Sequence, residues 1–544
     1  RRTHLLPDDE PGWRRLARAV GLHTPDEVRG VWTATSKAVL RAHGQVFYSP
    51  VVEAVARIPT EDLRMGPEAA KVRLGALGFH DEDAGLRHIE ALTSGTSRAV
   101  RIQTALMPAM LAWLADGPSP DNCLLAFRQV SEALGESPWY LRAMRDEGAM
   151  AQRLATVLST SRYAVDVLTR APETVQVLVD DDLTPLDRDD LTRQMYAVAR
   201  RHRDVEEAVE AIRAVRRREL FRILVANILN VTDTLRIGRA LTDLTGATLD
   251  AALSAVSRGV EDAPPIGIVA MGRWGGQELS YGSDADCLFV VGDGPGAGEK
   301  ASRIVTKLRN LLGRNGADPA LILDADLRPE GRSGPMVRSL ESYRKYYGKW
   351  SRTWESQALL RASHGAGDRD QTTAVREGVD NLRYPADGRT AGQSAEIRML
   401  KARMESERIP RGVDPRRHLK LGPGGLSDIE WTAQVIQLQH AGKEPALRTT
   451  STIKALDAAL AADHVDEEQH QELCDSWLAA SRLRNVIMVV RGRPSDVIPS
   501  DSIDLDVIAR ALGMGRGASE QLIEDHLRHG RRASKVVDAV FWNQ

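Results

Sequence analysis

Gly275-Gly-Gln-Glu-Leu-Ser-Tyr-Gly-Ser-Asp284-Ala-Asp286-Cys-Leu-Phe-Val-Val291 is a glycine turn followed by two alternating aspartates that enter an apolar run. Side chains on a strand alternate between faces, so Asp284 and Asp286 point the same way while Ala285 points back into the protein. Two carboxylates on one side of a strand end suit divalent cations, a pair of magnesium ions in particular. Gly275 and Gly276 let the backbone approach a phosphate, with N–H groups at a helix start to receive it. Gly282-Ser283 adds a hydroxyl and further N–H groups for terminal phosphates.

Outward from this stretch the pattern is that of a small α/β sheet. Pro265-Ile-Gly-Ile-Val-Ala-Met271 is a short apolar run with β-branched residues, bounded by prolines and by the glycine turn, and reads as a buried strand. Residues 274–283 leave room for a short helix before a second strand, Ala285 to Val291. A helix with apolar positions Ile304, Val305, Leu308, Leu311 and Leu312 follows, and Ala320-Leu-Ile-Leu-Asp-Ala-Asp-Leu327 reads as a third strand. Asp324 and Asp326 share one face of it, and either can complete a carboxylate triad with Asp284 and Asp286. Arg328 and Arg332 come next, in a Pro-Glu-Gly-Arg-Ser-Gly loop suited to bidentate phosphate contacts. An isolated Asp-x-Asp at a strand exit is ordinarily a turn or a solvated edge. The glycine turn, the apolar strand and a second Asp-bearing strand followed by arginines together favour a metal and phosphate site.

The rest of the chain is helical in pattern. Thr24-Pro-Asp-Glu27 carries the N-cap, the N1 proline and the N3 glutamate of a helix start, with apolar spacing through Val39 and Leu40. Amphipathic segments are expected at about 86 to 115, 122 to 135, 138 to 170 and 186 to 232, with helical spacing to Val260. Beyond Ser339 helices return, and from 391 to the end five or six amphipathic segments form a bundle. The expected fold class is α+β, mostly helical: a small α/β sheet flanked by helical domains, with a C-terminal helical bundle. At 544 residues several domains are expected. Their boundaries are read as 1–60, 61–233, 234–375 and 376–544.

Composition narrows the function. The net charge of -2 arises from 73 basic and 75 acidic residues, so no general attraction to nucleic acid or a membrane surface is implied. Cys123, Cys287 and Cys474 form no Cys-x-x-Cys pair, and the histidines show no His-Glu-x-x-His spacing; both argue against zinc or disulfides and for a reducing cytoplasm. No stretch approaches the ~20 apolar residues of a membrane span. The start shows no signal-peptide pattern. The chain begins at Arg1 rather than methionine, as a piece of a longer protein would.

Other candidates read as structural. Gly292-Asp-Gly-Pro-Gly-Ala-Gly298 lacks Gly-x-Gly-x-x-Gly spacing and reads as a surface loop. Arg216-Arg-Arg218 reads as a solvated helix face and Asp180-Asp-Asp182 as a loop. Cys287 reads as a small core residue. Lys420-Leu-Gly-Pro-Gly-Gly-Leu-Ser-Asp-Ile-Glu-Trp431 has two readings. In the favoured one Ser427 is an N-cap and Glu430 closes a capping box. In the other, Lys420 and the glycine-rich turn lean against the active site.

Gly272-Arg-Trp-Gly-Gly-Gln-Glu-Leu279, leading into Ser283-Asp-Ala-Asp286, resembles the nucleotidyltransferase motif of the DNA polymerase β superfamily, and within it the glutamine synthetase adenylyltransferase family. Asp324-Ala-Asp-Leu-Arg-Pro-Glu-Gly-Arg-Ser-Gly-Pro335, Trp354-Glu-Ser-Gln-Ala-Leu-Leu-Arg361 and the Lys420 to Trp431 segment match the same family. Its members have two similar halves, each a nucleotidyltransferase core followed by a helical bundle. The N-terminal half removes AMP from glutamine synthetase and the C-terminal half adds it. This chain shows one such core, and Arg41-Ala-His-Gly-Gln-Val-Phe-Tyr-Ser-Pro50 resembles the end of the first half's bundle. The resemblance therefore implies the adenylylating half of a multifunctional enzyme. The family's usual Asp-x-Arg-Leu-Arg-Pro stands here as Asp324-Ala-Asp326-Leu-Arg328-Pro329, which favours Asp324 as the third carboxylate and leaves Asp326 as the alternative.

What the resemblance implies chemically is transfer of AMP from ATP to a tyrosine hydroxyl of glutamine synthetase with release of pyrophosphate, a control on nitrogen assimilation. Asp284, Asp286 and Asp324 would hold two magnesium ions; Gly275, Gly276, Ser283, Arg328 and Arg332 would meet the nucleotide. The helical regions would present the target and receive a signal from PII proteins. Phosphorolytic deadenylylation and a non-catalytic helical adaptor are the alternatives.

Overall fold

The computed structural model describes residues 10–32, 67–115, 119–135, 137–146, 148–515 and 517–542, together with the isolated positions 7, 35 and 117. They fall into two compact units, Arg1–Ser159 and Thr160–Gln544.

The described part of the first unit is helical. Thr24 Oγ1 accepts from Glu27 N at 3.2 Å, so the N-cap read there forms, and the Glu27 carboxylate reaches one residue further back to accept from His23 N at 2.9 Å. Its helix is described over 25–32. The continuation through Val39 and Leu40 lies outside the described residues, as does the Arg41 to Pro50 segment. The segment expected from 86 to 115 is two helices, Glu82–Thr93 and Arg98–Ala115, separated at Gly95 with φ +118°. Leu106, Met110, Leu124 and Phe127 are buried between its helices.

The second unit opens with Arg162–Arg170 and continues through α1 (Arg188–Ala199), α2 (Val205–Ile228) and α3 (Thr234–Ser257). These helices pack on one another, and α3 also lies against the sheet. The solvated face expected at Arg216 is not what forms. Arg216 and its neighbour one turn back, Arg213, are buried and hold Asp318 at 3.2 and 2.8 Å. Two guanidiniums on one fully buried carboxylate fasten α2 to the loop ahead of the third strand, and periodicity of charge alone could not reveal it. Asp180, expected in a loop, is gripped by Arg222 at 2.6 Å.

The sheet has five strands: β1 (Ile266–Ala270), β2 (Ala285–Val291), β3 (Leu323–Asp324), β4 (Val337–Ser339) and β5 (Ser363–Gly367). Their order is β3-β2-β1-β5, with β4 also on β2. β1 runs antiparallel to β2 and β5, while β3 and β4 run parallel to β2. The short helix α4 (Gly272–Gly275) joins β1 to β2, and α5 (Ala297–Leu312) follows with all five expected apolar positions buried. α6 (Leu340–Lys349), α7 (Thr353–Leu359) and α8 (Arg369–Gly378) complete the core. Val269, Met271, Leu288 and Val290 of the sheet meet Tyr343, Tyr347, Leu359 and Val375 in one cluster. The third strand is shorter than expected: after Asp324 the chain turns, because Asp326 N donates to Asp324 Oδ1 at 2.8 Å and Arg328 N to Ala325 O at 3.1 Å.

A bundle of six α-helices follows: α9 (Ala391–Arg408), α10 (Leu426–His440), α11 (Thr452–Ala461), α12 (Glu467–Arg491), α13 (Ser502–Ala511) and α14 (Ser519–Val537). Leu360, just past α7, is buried in the same cluster as Ile429, Leu456 and Trp477, so the end of α7 contributes to the bundle's core. No helix among the described residues is long and apolar enough to cross a membrane.

Candidate active site

β1 delivers the chain to a turn that must reverse quickly, and Gly272 makes this possible. It has φ +52°, a conformation costly for any residue with a side chain, and a Cβ there would lie 2.1 Å from Asp286 Oδ2. The glycine thus leaves the space that the Asp286 carboxylate occupies. Met271 N donates to Asp286 O at 2.8 Å, which ties the turn to the start of β2.

Three carboxylates gather here. Asp284 is exposed just ahead of β2, Asp286 is half-buried two residues on, and Asp324 is the register partner of Asp286 across the parallel β2–β3 pair. Burial and then the Asp324 charge raise Asp284 above the usual carboxylate range. Asp286 is pushed up to about 6, by burial first and then by Asp324, with Lys420 opposing and Asp284 adding to the rise. Three mutually repelling oxygen-donor groups beside a cradle that a Cβ would fill are a fit for hard divalent cations such as magnesium. Asp326 faces elsewhere: its carboxylate holds Arg332 at 2.7 Å and lies 3.7 Å from Arg328.

The groups expected on the nucleotide divide differently. Arg328 is buried, and its guanidinium donates to the carbonyls of Gly334, Ala325 and Arg332 at 3.0, 2.8 and 3.0 Å. It braces its own loop. Arg332 is exposed, and its guanidinium pairs with Asp326. Ser283 closes a turn with Ser280, the two hydroxyls 2.8 Å apart, and Arg484 donates to Ser280 Oγ at 2.7 Å.

Gly275 and Gly276 pack closely against the chain itself. Their N–H groups bond Met271 O and Gly272 O within the turn. A Cβ on Gly275 would fall 1.8 Å from Arg361 O, and one on Gly276 would fall 2.0 Å from Arg361 Nη1. Both glycines are small to admit Arg361 rather than a phosphate. Arg361 pairs with buried Glu278 and donates to Thr452 Oγ1 at 2.7 Å and Thr450 O at 3.0 Å. Glu278 in turn accepts from Thr452 N at 2.6 Å.

Neither Ser427 nor Glu430 caps α10. The N-cap is Gly425, and Glu430 turns inward to Arg273 at 3.6 Å and Arg361 at 3.8 Å. Burial alone would raise the Glu430 pKa, yet Arg273, Arg361 and Lys420 together hold it below the usual range. Asp428 is buried on Lys401 at 2.6 Å and accepts from Gly424 N at 2.7 Å. The segment therefore sets exposed Lys420 beside Asp286 electrostatically, the reading that capping had displaced. Gly272, Glu278 and Arg361 are the residues whose place here was not assigned from sequence. Their presence in the two matched blocks, 272–279 and 354–361, was the available signal.

Comparison with known proteins agrees with this geometry. A family model described as glutamate-ammonia ligase adenylyltransferase matches residues 151–378, and one described as GlnD PII-uridylyltransferase matches 397–542. A protein of Cutibacterium acnes called bifunctional glutamine synthetase adenylyltransferase/adenylyl-removing enzyme is 87% identical over 544 residues, covering 100% of this chain and 55% of its own length. Proteins of the same name from Streptomyces coelicolor and Mycobacterium tuberculosis are 48% and 43% identical, covering 100% and 99% of this chain and 57% of their own lengths. The chain thus spans about half the length of the curated relatives it matches.

Proposed function

The chain belongs to the glutamine synthetase adenylyltransferase family, and from that premise we propose that its α/β core moves AMP from ATP to a tyrosine hydroxyl of glutamine synthetase and releases pyrophosphate. The observation that carries this reading is the meeting of Asp284, Asp286 and Asp324 at one strand end, with Gly272 leaving room for the Asp286 carboxylate. Asp284, Asp286 and Asp324 would hold divalent cations, two magnesium ions in this reading, which supply charge neutralisation for phosphate oxygens when bound.

The acceptor tyrosine has an unperturbed pKa of ~10 and is almost wholly protonated at neutral pH. A carboxylate of the cluster takes its proton as the phenolic oxygen attacks the α-phosphorus. The bond from that phosphorus to the bridging oxygen breaks in line, and pyrophosphate leaves with the electron pair. Lys420 and exposed Arg332 are the cations of this edge that can meet the departing charge.

We read the functional division along the boundaries expected from sequence: the end of a preceding bundle at 1–60, a helical region at 61–233, the transferase core at 234–375 and a bundle at 376–544. We assign the bundle to regulation by a PII signal protein, supported by the PII-uridylyltransferase match over 397–542. The setting is the cytoplasm, where the target enzyme and ATP meet.

The test is incubation of the chain with ATP labelled at the α-phosphate, magnesium and unmodified glutamine synthetase. AMP incorporation is expected, and Asp286→Asn is expected to lower its rate at least about 10²- to 10³-fold with the circular dichroism spectrum unchanged. Phosphate-dependent release of AMP from adenylylated glutamine synthetase, with no incorporation, would overturn the proposal in favour of deadenylylation.

A further inference from the structure

Spacing along the chain gave no reason to expect a zinc site, but folding brings together groups that spacing keeps apart. His470 and Cys474 stand one turn apart on α12, so both project from the same face of that helix. Asp457, on α11, reaches the same point from the neighbouring helix. His470 Nε2 lies 2.8 Å from Asp457 Oδ1 and 3.5 Å from Cys474 Sγ. The ligand atoms of all three lie within 4.8 Å of one another.

Hydrogen bonding explains only part of this arrangement. A single ring nitrogen carries either a proton or a lone pair. If it donates to the Asp457 carboxylate, it has no lone pair for the thiol proton of Cys474. If it accepts from that thiol, its lone pair faces the carboxylate. A cation at the meeting point takes a lone pair from each of the three. The sulfur-to-nitrogen spacing suits zinc: with Zn–S of about 2.3 Å and Zn–N of about 2.0 to 2.1 Å, a tetrahedral angle sets sulfur and nitrogen about 3.5 Å apart, while the His470–Asp457 pair, at 2.8 Å in hydrogen-bond contact, opens by about 0.5 Å when the metal enters. The donor set of sulfur, imidazole and carboxylate is borderline-soft, unlike the all-oxygen set of the aspartates at the strand end. Cys474 is buried while Asp457 remains largely exposed, which leaves one side open for water as a fourth ligand.

We propose that Asp457, His470 and Cys474 form a zinc site that fastens α11 to α12. The site lies apart from the proposed transferase chemistry in its ligands, yet it acts on a helix that matters there. Thr452, the first residue of α11, is the one that seats Glu278 and Arg361. Zinc at the other flank of α11 holds that helix in place.

The purified full chain, freed of metal with a chelator and then held in excess magnesium, is titrated with zinc and separately with cobalt(II). One zinc per chain is expected, with a rise in melting temperature. Cobalt is expected to give the sulfur-to-metal charge-transfer absorption that only a thiolate ligand produces. Cys474→Ser should abolish that absorption, and His470→Ala should weaken zinc binding by more than the roughly 10- to 100-fold typical of lost outer-shell partners. Both variants should keep the parent's circular dichroism spectrum. Absence of the charge-transfer band in the parent overturns the proposal. So does zinc binding that survives both substitutions and is lost instead in His464→Ala, which would place the metal at His440, Glu444 and His464.

Discussion

Gly272 shows how closely the carboxylate cluster depends on what is missing from a side chain. Replacing it with alanine puts a methyl group 2.1 Å from Asp286 Oδ2 on a backbone with φ +52°. We expect Gly272→Ala to lower stability in urea by about 1 to 2 kcal/mol from the backbone alone. AMP transfer should fall about 10²-fold, since displacing a catalytic group by an ångström has that effect. Asp286 makes a second prediction. Its pKa rises from 3.8 unfolded to about 6 folded, so the folded state binds the proton more tightly. The stability this contributes is full below about pH 4 and is lost as the pH rises through 6. Magnesium should therefore raise the melting temperature little at pH 4 and fully above pH 6. Asp286→Asn should melt higher than the parent in chelator at pH 7 and lose the magnesium response, and an undiminished response would remove Asp286 from the metal site. The paired aspartates were legible because strand alternation fixes their direction. The roles of Arg328 and of Gly275 and Gly276 were not. A guanidinium on a carbonyl at Gly334 and a glycine beneath Arg361 depend on contacts that no local pattern encodes.

Among the elements, β1 and β2 were read almost to the residue because both are continuous apolar runs buried on both faces. β3 shrank because Asp326 and Arg328 turn the chain, and Ile322, inside the expected strand, is 46% exposed. β5 was invisible: Ser363-His-Gly-Ala-Gly367 has no apolar alternation and forms by pairing its backbone with β1. The link between α4 and α11 carries its own prediction. Glu278 and Arg361 are both buried, so removing one partner leaves an uncompensated charge. Glu278→Gln and Arg361→Met should each cost about 3 to 5 kcal/mol in denaturant unfolding. The double variant should cost less than the sum, and simple additivity would show that the pair does not interact.

At the scale of the molecule, all the residues of the candidate site belong to the unit from Thr160 onward. A chain beginning at Thr160 should therefore keep the magnesium-dependent rise in melting temperature; loss of that response would mean that the first unit supports the site. The sequence marked the bundle correctly as several short amphipathic helices. It could not show that Leu360 enters the bundle's core or that Arg216 is buried on Asp318, since both pairings join residues far apart in the chain.

The anchoring of Glu278 by Thr452 also sets an order in time. The two residues are 174 positions apart. At roughly 5 to 20 residues per second, a ribosome takes roughly 10 to 35 s to travel from one to the other. Once Asp324 has been made, the aspartate-bearing strands wait out the remainder of that interval while the turn beside them has no mooring. The turn that follows Gly272 is thereby left without its buried anchor until the first residue of α11 has been made.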